Sequence, residues 1–298
     1  MTDTPSDASS TAGAAEEAEI QAALTPRDTA PVGVDPNVPS VARIYDYLLG
    51  GRDNFAADRE AAEALLAQVP DARTAALANR LFLGRVVTAL GEQGVEQFID
   101  LGSGLPTADN VHQIAQRANP QARVVYVDYD PIVAVHGRAL LARGEDVALV
   151  EADMRDLPAI FAHEDVKRLV DFQRPVAVLC FAMWHFVRNL ADLYAMMATL
   201  EHQLQGGGFL AISHLTSRGE VPEKNFAAAL SVYNSATARV TPRPPSVLRE
   251  VLTGWELEPP GLVPLHEWRP DDDAALRIPQ AEISGAVARW SPPRRDAG

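Results

Sequence analysis

The sequence of 298 residues contains one cysteine, Cys180. A single thiol cannot form an intramolecular disulfide, and its apolar neighbours at 176–179 predict a buried, inert side chain. The sequence has no run of about 18 apolar residues, so we expect no membrane-spanning helix. Its first residues lack the basic and apolar regions of a signal peptide, and we therefore expect a cytoplasmic protein.

Basic residues are also few in this chain. There are 26 Lys and Arg residues against 40 Asp and Glu residues, which gives a formal net charge of −14. This balance argues against a general affinity for nucleic-acid backbone, because phosphate contacts need clustered positive charge. A small molecule or a protein is the favoured partner, and we identify no metal-binding motif.

Changes of composition along the chain predict four regions. Residues 1–37 are rich in Ala, Ser, Thr, Pro and acids, which is typical of a disordered tail. Residues 38–94 carry three apolar patterns of helical spacing, the first capped by Ser40, and predict a helical cover. Strands alternate with helices over 95–270, as in a parallel α/β sheet. Residues 271–298 form a C-terminal extension.

The α/β region contains seven predicted strands. Five of them alternate with helices and lie at 97–101, 123–128, 147–151, 175–181 and 209–213. Two closing strands, at 255–258 and 262–268, are expected to form a hairpin through the turn Pro259-Pro260-Gly261.

The stretch 98–107 is typical of a buried strand that runs through a glycine turn into a helix. Gly102 and Gly104 permit a tight turn and close approach of a ligand to the backbone, and Pro106 is a favoured first helical residue. The N–H groups at the start of that helix would then face a bound polar or anionic group.

Acidic residues follow three successive predicted strands: Asp100, Asp128 with Asp130, and Asp153. Ligands of open parallel sheets bind outside the carboxyl ends of the strands. An acid at the end of the second strand suits two ribose hydroxyls, which predicts an adenosine-containing ligand. The dinucleotide pattern G-x-G-x-x-G fails because Thr107 replaces its third glycine. A nicotinamide-dependent oxidoreductase is therefore a weaker alternative.

The order Asp100-x-Gly102-x-Gly104, Asp128, Asp153 resembles the class I S-adenosylmethionine-dependent methyltransferases. Longer motifs are similar to a mostly actinobacterial S-adenosyl methyltransferase family that was long a domain of unknown function. These motifs are 42–54 (ARIYDYLLGGRDN), Asn79-Arg80, 101–107 (LGSGLPT), 125–131 (VYVDYDP), Ser213-His214 and 268–270 (WRP).

This resemblance implies an α/β, Rossmann-like class I fold, with a seven-stranded, mostly parallel sheet, helices on both faces and the N-terminal helices as a cover. It also implies an activity, the transfer of a methyl group from S-adenosylmethionine to a small molecule. S-adenosylhomocysteine would be the product.

Roles for individual residues follow from the resemblance as well. The turn Gly102-Ser103-Gly104 would lie against the methionine part of the cofactor, with Asp100 near its amino group. Asp128, assisted by Asp130, would bind the ribose hydroxyls, and Asp153 would meet the adenine amine. Further candidate contacts to the cofactor are Tyr129, Met154, Tyr45, Asn54 and Arg80.

Methyl transfer requires the protein to hold an acceptor in line with the sulfonium methyl and to exclude water. A general base is needed only if the acceptor must lose a proton. His185, after the fourth strand, and His214, after the fifth, are the candidates. The alternative is that His185 is a hydrogen-bonded core residue and that His214 closes a strand through Ser213 or Thr216.

The fourth strand is followed by Phe181-Ala182-Met183-Trp184 rather than by the N/D-P-P-Y motif that class I amino-methylating enzymes often carry. A catalytically silent module, which binds S-adenosylmethionine as a sensor or as an interaction partner, is therefore the alternative function.

Overall fold

A computed structural model of the chain describes residues 30, 33–106, 109–141, 145–216, 223–234, 236, 238–270 and 283–293. Most of the predicted tail at 1–37, residue Thr107 and most of the predicted extension lie outside the described residues.

The helices of the described ranges surround one sheet. They are α1 (Val41–Leu48), α2 (Ala56–Gln68), α3 (Ala72–Glu92), α4 (Val111–Ala118), α5 (Pro131–Leu141), α6 (Leu157–Ala162), α7 (Glu164–Leu169), α8 (Leu190–Gln203), α9 (Glu223–Asn234) and α10 (Pro245–Val251). Within these ranges, no helix combines the length and the apolar character that crossing a membrane requires.

The sheet has eight strands in the described ranges. They are β1 (Gln97–Leu101), β2 (Arg123–Asp128), β3 (Val147–Glu151), β4 (Val176–Phe181), β5 (Gly208–Leu215), β6 (Glu256–Leu257), β7 (Val263–Pro264) and β8 (Ile283–Trp290). Their order is β3-β2-β1-β4-β5-β8-β6, and β7 also pairs with β8. Because β1 to β5 are parallel, their carboxyl ends lie at one edge of the sheet.

The strands beyond β5 differ from the sequence prediction. The sheet has eight strands rather than seven, and β6 and β7 do not form the expected hairpin with each other, since each pairs antiparallel with β8. β8 itself pairs antiparallel with β5, so the sheet extends beyond residue 270, where the sequence analysis ends the core.

The composition of β8 explains why it is missed. Its centre is Gly285-Ala286-Val287-Ala288, which lacks the bulky β-branched residues that indicate a strand. Small residues are needed there, because a Cβ on Gly285 would lie 2.5 Å from the ring of Phe82 and 2.7 Å from Leu265.

Helices cover both faces of the sheet, as predicted. On one face α3 and α4 bring Phe82 and Ile114 into a cluster with Phe98 of β1. On the other face α6, α7, α8 and α10 enclose a second cluster. Cys180 lies in this second cluster, fully buried, and burial raises the pKa of its thiol.

The N-terminal helices form the cover. α1, α2 and the first half of α3 share one apolar cluster, which Ala229 of α9 joins. The second half of α3 packs on the sheet, so this helix connects the cover to the core. A buried ion pair between Arg43 Nε and Asp58 Oδ2, 2.8 Å apart, holds α1 to α2.

Candidate functional site

The glycine turn leads from β1 toward α4. Gly102 and Gly104 have φ angles of +75° and +66°, which residues with a side chain rarely adopt. The N–H of Gly102 donates to the carbonyl of Val127 at 2.7 Å and ties the turn to β2. The following helix begins at Val111 rather than at Pro106, because Asn110 occupies its N-cap position.

The two glycines have different surroundings. A Cβ on Gly102 would lie 2.3 Å from Cε of Met183, so the Met183 thioether already fills the space beside this glycine. Within the described part of the chain, no atom would lie within 4 Å of a Cβ on Gly104. The close approach of a ligand that the sequence predicts for both glycines therefore has room at Gly104, whereas Gly102 is needed for packing.

The carboxylate of Asp128 supports the glycine turn. Its Oδ2 accepts the N–H of Gly104 at 2.8 Å, and its Oδ1 accepts the N–H of Asp130 at 3.0 Å. The side chain is 8% exposed, and burial raises its pKa. Asp128 thus lies between the glycine turn and the start of α5, where a ribose is expected.

Asp130 has two structural contacts. Its Oδ1 accepts the N–H of Ile132 at 3.0 Å in the first turn of α5, as a helix cap does. Its Oδ2 accepts the hydroxyl of Ser40 at 2.5 Å. Ser40 precedes α1 but makes no capping bond with its side chain, contrary to the sequence prediction, because its hydroxyl joins the cover to the start of α5 instead.

A cavity that opens to solvent lies beside the glycine turn, with about 440 Å³ of empty space when the open solvent is included. Four of the sequence-predicted cofactor residues line it: Arg80, Asp100, Ser103 and Gly104. Its other walls come from α4, α5 and the strands β2 and β3. The cavity therefore brings together the residues that the sequence predicts for the methionine end of the cofactor.

Asp100 has an unusual environment in this cavity. It is 4% exposed, and its carboxylate accepts no hydrogen bond from the described residues. Burial raises its pKa to about 7, the positive charge of Arg80 opposes that shift, and the negative charge of Asp128 adds to it. A bound cation would therefore meet a buried carboxylate that accepts no hydrogen bond from the described residues, with Arg80 as a nearby positive charge.

Arg80 brings positive charge to the same cavity. Its Nη2 donates to the carbonyl of Asp109 at 2.5 Å, which fixes the guanidinium near the start of α4. A cavity that contains a carboxylate and a guanidinium is complementary to a zwitterionic amino acid, because each charged group of the ligand finds an opposite charge.

Two candidates from the cover have internal partners. The Tyr45 hydroxyl donates to the carbonyl of Ala76 at 3.0 Å and accepts the amide of Asn79 at 2.9 Å. The Asn54 amide donates to Asp46 Oδ2 at 2.9 Å and also to a backbone carbonyl. Neither residue lines the cavity.

The residues assigned to the adenine end lie outside this cavity. The Asp153 carboxylate accepts Nε of Arg155 at 2.9 Å, and this hydrogen-bonded pairing lowers its pKa. Met154 is 6% exposed and belongs to the core cluster, whereas Tyr129 is 47% exposed. The site therefore has a buried methionine end, and its predicted adenine end is more open at Tyr129.

The two candidate bases, His185 and His214, lie together. Their ring centroids are 5.6 Å apart, and both rings are buried. His185 Nδ1 accepts the N–H of Leu215 at 3.4 Å, whereas neither ring nitrogen of His214 has a hydrogen-bond partner among the described residues. Burial, with the charge of Arg243, lowers the pKa of His185 to about 3; burial, His185 and Arg243 lower the pKa of His214 to about 2.

Sequence reasoning missed two residues of this region. Met183 packs on Gly102, but methionine among apolar residues gives no signal of such a contact. Arg243 donates to the carbonyls of Trp184, Val187 and Arg188, and so clamps the loop that carries His185. Arg243 lies in a segment with no recognised motif, so the sequence gave no indication of these hydrogen bonds.

The strand order, the glycine turn after β1 and the acid at the end of β2 define a class I methyltransferase fold. The family model described as "S-adenosyl methyltransferase" matches residues 27–291, and the chain belongs to this family. The resemblance inferred from the motifs is thereby confirmed, and the family's cofactor is S-adenosylmethionine.

Two solved structures are similar over most of their length. One is a candidate methyltransferase from Thermobifida fusca, with 37% sequence identity and a TM-score of 0.80 over 88% of this chain and 99% of that one. The other is a DUF574 family protein from Streptomyces avermitilis, with 36% identity and a TM-score of 0.80 over 87% and 99% of the two chains. No curated protein matches the sequence.

Proposed function

We propose that this protein transfers a methyl group from S-adenosylmethionine to a small-molecule acceptor, with the cytoplasm as its expected location. The observation that supports it most is the buried carboxylate of Asp100, which accepts no hydrogen bond from the described residues, in a cavity that Arg80 also lines. These residues fit the methionine end of the cofactor, since an ammonium pairs with Asp100 and a carboxylate with Arg80. The net charge of −14 supports a small molecule over a nucleic acid as acceptor.

The remaining parts of the cofactor would follow the edge of the sheet. Asp128 accepts the ribose hydroxyls while it holds the Gly104 N–H, and a carboxylate has enough lone pairs for both. Tyr129 offers an exposed ring beside Asp128. Asp153 is the proposed partner of the adenine amine, and the Arg155 ion pair keeps it ionised for that role. Met154 would lie against the adenine ring.

When bound, S-adenosylmethionine supplies an electrophilic methyl on its sulfonium. The protein then has to orient the acceptor and exclude water, and the cover helices α1 and α2 support the second task. His185 and His214 are proposed as bases for an acceptor that loses a proton. With pKa values of about 3 and 2 they stay neutral at pH 7, so they suit only an acceptor whose proton is already acidic.

Titration calorimetry with S-adenosylmethionine and S-adenosylhomocysteine tests cofactor binding. We expect Asp128→Ala to weaken both affinities more than tenfold, because it removes the ribose partner and releases the Gly104 N–H. Asp146→Ala, which changes an exposed carboxylate far from the turn, is the matched control. Equal affinity in Asp128→Ala would show that the ribose is bound elsewhere, and a wild-type protein that binds neither compound would contradict the proposal.

Methyl transfer itself requires a second experiment. The protein is incubated with cofactor carrying a labelled methyl group and with fractionated small-molecule extracts. A labelled small molecule supports the proposal, whereas binding without any labelled product across varied extracts favours the silent module. Tighter binding of a nicotinamide dinucleotide than of S-adenosylmethionine would instead favour the oxidoreductase.

A further inference from the structure

A continuous chain of hydrogen bonds runs from the turn after β4 to the cover. The N–H of Ala182 donates to Ser213 Oγ at 2.7 Å, and the Ser213 hydroxyl donates to Asn79 Oδ1 at 2.5 Å. The Asn79 amide donates to the Tyr45 hydroxyl at 2.9 Å, which donates in turn to the carbonyl of Ala76 at 3.0 Å. The chain thus connects β4, β5, α3 and α1.

In every hydrogen bond of this chain, the donor and the acceptor are fixed. Each hydroxyl accepts one bond and donates the next, so the amide of Asn79 has a single orientation that satisfies all partners. Ser213 is fully buried and Asn79 is 3% exposed. Bonds aligned in this way strengthen one another in a low-dielectric interior, and removing one member leaves a buried group unpaired.

Ala182, the first member of this hydrogen-bond chain, has a strained backbone. Ala182 has a φ of +55°, in the left-handed region that residues with a Cβ rarely adopt. Its N–H donates both to the Ser213 hydroxyl and to the Ser213 carbonyl, the latter at 3.1 Å. Ser213 therefore offsets the strain of this turn with two acceptors.

Met183 follows Ala182 in the sequence and links the turn after β4 to the glycine turn. Its Cε, Sδ and Cγ would all lie within 2.6 Å of a Cβ on Gly102, so its side chain rests directly on that glycine. Gly102 and Gly104 both have positive φ angles and are intrinsically flexible. The contact with Met183 therefore restricts the turn at Gly102.

We propose that Asn79 and Ser213 are positioning residues for the cofactor: through Ala182 they hold Met183 against Gly102, which keeps the glycine turn in its receptive form. This inference rests on the proposed function, because it takes the glycine turn as the place where the methionine part binds. The hydrogen bond from Asn79 to Tyr45 connects the cover to the same hydrogen-bond chain.

The test measures S-adenosylhomocysteine affinity by calorimetry in Ser213→Ala, Ser213→Thr and Met183→Ala. We expect about tenfold weaker binding in Ser213→Ala and Met183→Ala, and wild-type affinity in Ser213→Thr, which keeps the hydroxyl. Methionine methyl NMR adds a direct readout, since the chain has five Met residues and Met183→Leu identifies the resonance of interest. That resonance should shift in Ser213→Ala before any ligand is added.

The control is Ser284→Ala, which removes another buried hydroxyl on the neighbouring strand β8. A merely structural role predicts that Ser213→Ala and Ser284→Ala lower Tm alike and leave affinity and the Met183 resonance unchanged. That result would overturn the inference, as would wild-type affinity in Met183→Ala, a variant that leaves the hydrogen-bond chain intact. Absence of binding by the wild-type protein would instead contradict the proposed function.

Discussion

Asp100 is the residue whose environment most constrains the chemistry of the site. Burial raises its pKa to about 7, so the carboxyl is mostly protonated at pH 6 and mostly ionised at pH 8. A bound ammonium favours the ionised form. Binding of the cofactor below pH 7 is therefore coupled to the release of a proton from Asp100.

This coupling predicts a pH-dependent affinity. We expect the Kd for S-adenosylhomocysteine to be roughly tenfold higher at pH 6 than at pH 8, because about one proton is lost on binding at the lower pH. Asp100→Asn should bind more weakly at pH 8 and show no such dependence. Calorimetry at the two pH values provides the measurement, and a flat profile in the wild-type protein would show that Asp100 does not face the ammonium.

The raised pKa of Asp100 affects binding and folding in opposite directions. A higher pH favours binding of the ammonium, but it lowers the stability of the fold. The unfolded chain has an ordinary Asp pKa of 3.8, so between about pH 4 and pH 7 the folded chain binds more protons than the unfolded one. The free energy of unfolding therefore falls as the pH rises through this window. Asp100→Asn should have a higher Tm than the wild-type protein at pH 8, and the difference should disappear near pH 4.

At the scale of elements, the cover is joined to the core at the edge of the proposed ribose site. The Ser40 hydroxyl before α1 donates to Asp130, and Asp53 Oδ2 lies 3.5 Å from Nδ1 of His136 on α5. Phe55 packs with Leu105 after the glycine turn. The cover thus lies against both turns that are proposed to hold the cofactor.

Ser40→Ala removes the hydrogen bond between the cover and Asp130. We expect dissociation of S-adenosylhomocysteine to become faster by roughly tenfold, since a hydrogen bond to a charged group contributes about 1.5 kcal/mol. Stopped-flow displacement gives the rate. Ser246→Ala, at an exposed position of α10, serves as the control. An unchanged dissociation rate in Ser40→Ala would mean that the cover does not retain the ligand.

Local patterns predicted the elements that border the site. β1, β2 and β3 have the predicted bounds, since each is an apolar run that ends at an acid or a glycine. The connection between Ser40 and Asp130 could not be predicted, because these residues are 90 positions apart and only the folded chain brings them together. For the same reason the motif residues Asn79 and Ser213 gave no sign that they bond to each other.

At the scale of the whole molecule, the sequence predicted the class of fold, which the structure confirms, and it predicted a ligand at the carboxyl ends of the strands, which stays a prediction. The motifs around Asp100 and Asp128 carried both predictions, because residues near one another in sequence define a strand end and its turn. β8 was missed, since its small residues are selected by the packing of Phe82 and Leu265 over Gly285 rather than by a local preference. Long-range packing of this kind leaves no periodic pattern in the sequence.

The central claim is that the cavity beside the glycine turn holds the methionine end of S-adenosylmethionine. A crystal structure of the protein with S-adenosylhomocysteine tests it most directly. We predict that the amino group lies within hydrogen-bond distance of Asp100, the carboxylate faces Arg80, and the ribose hydroxyls contact Asp128. Density for the ligand elsewhere, with no ligand atom within hydrogen-bond distance of Asp100, would contradict the claim.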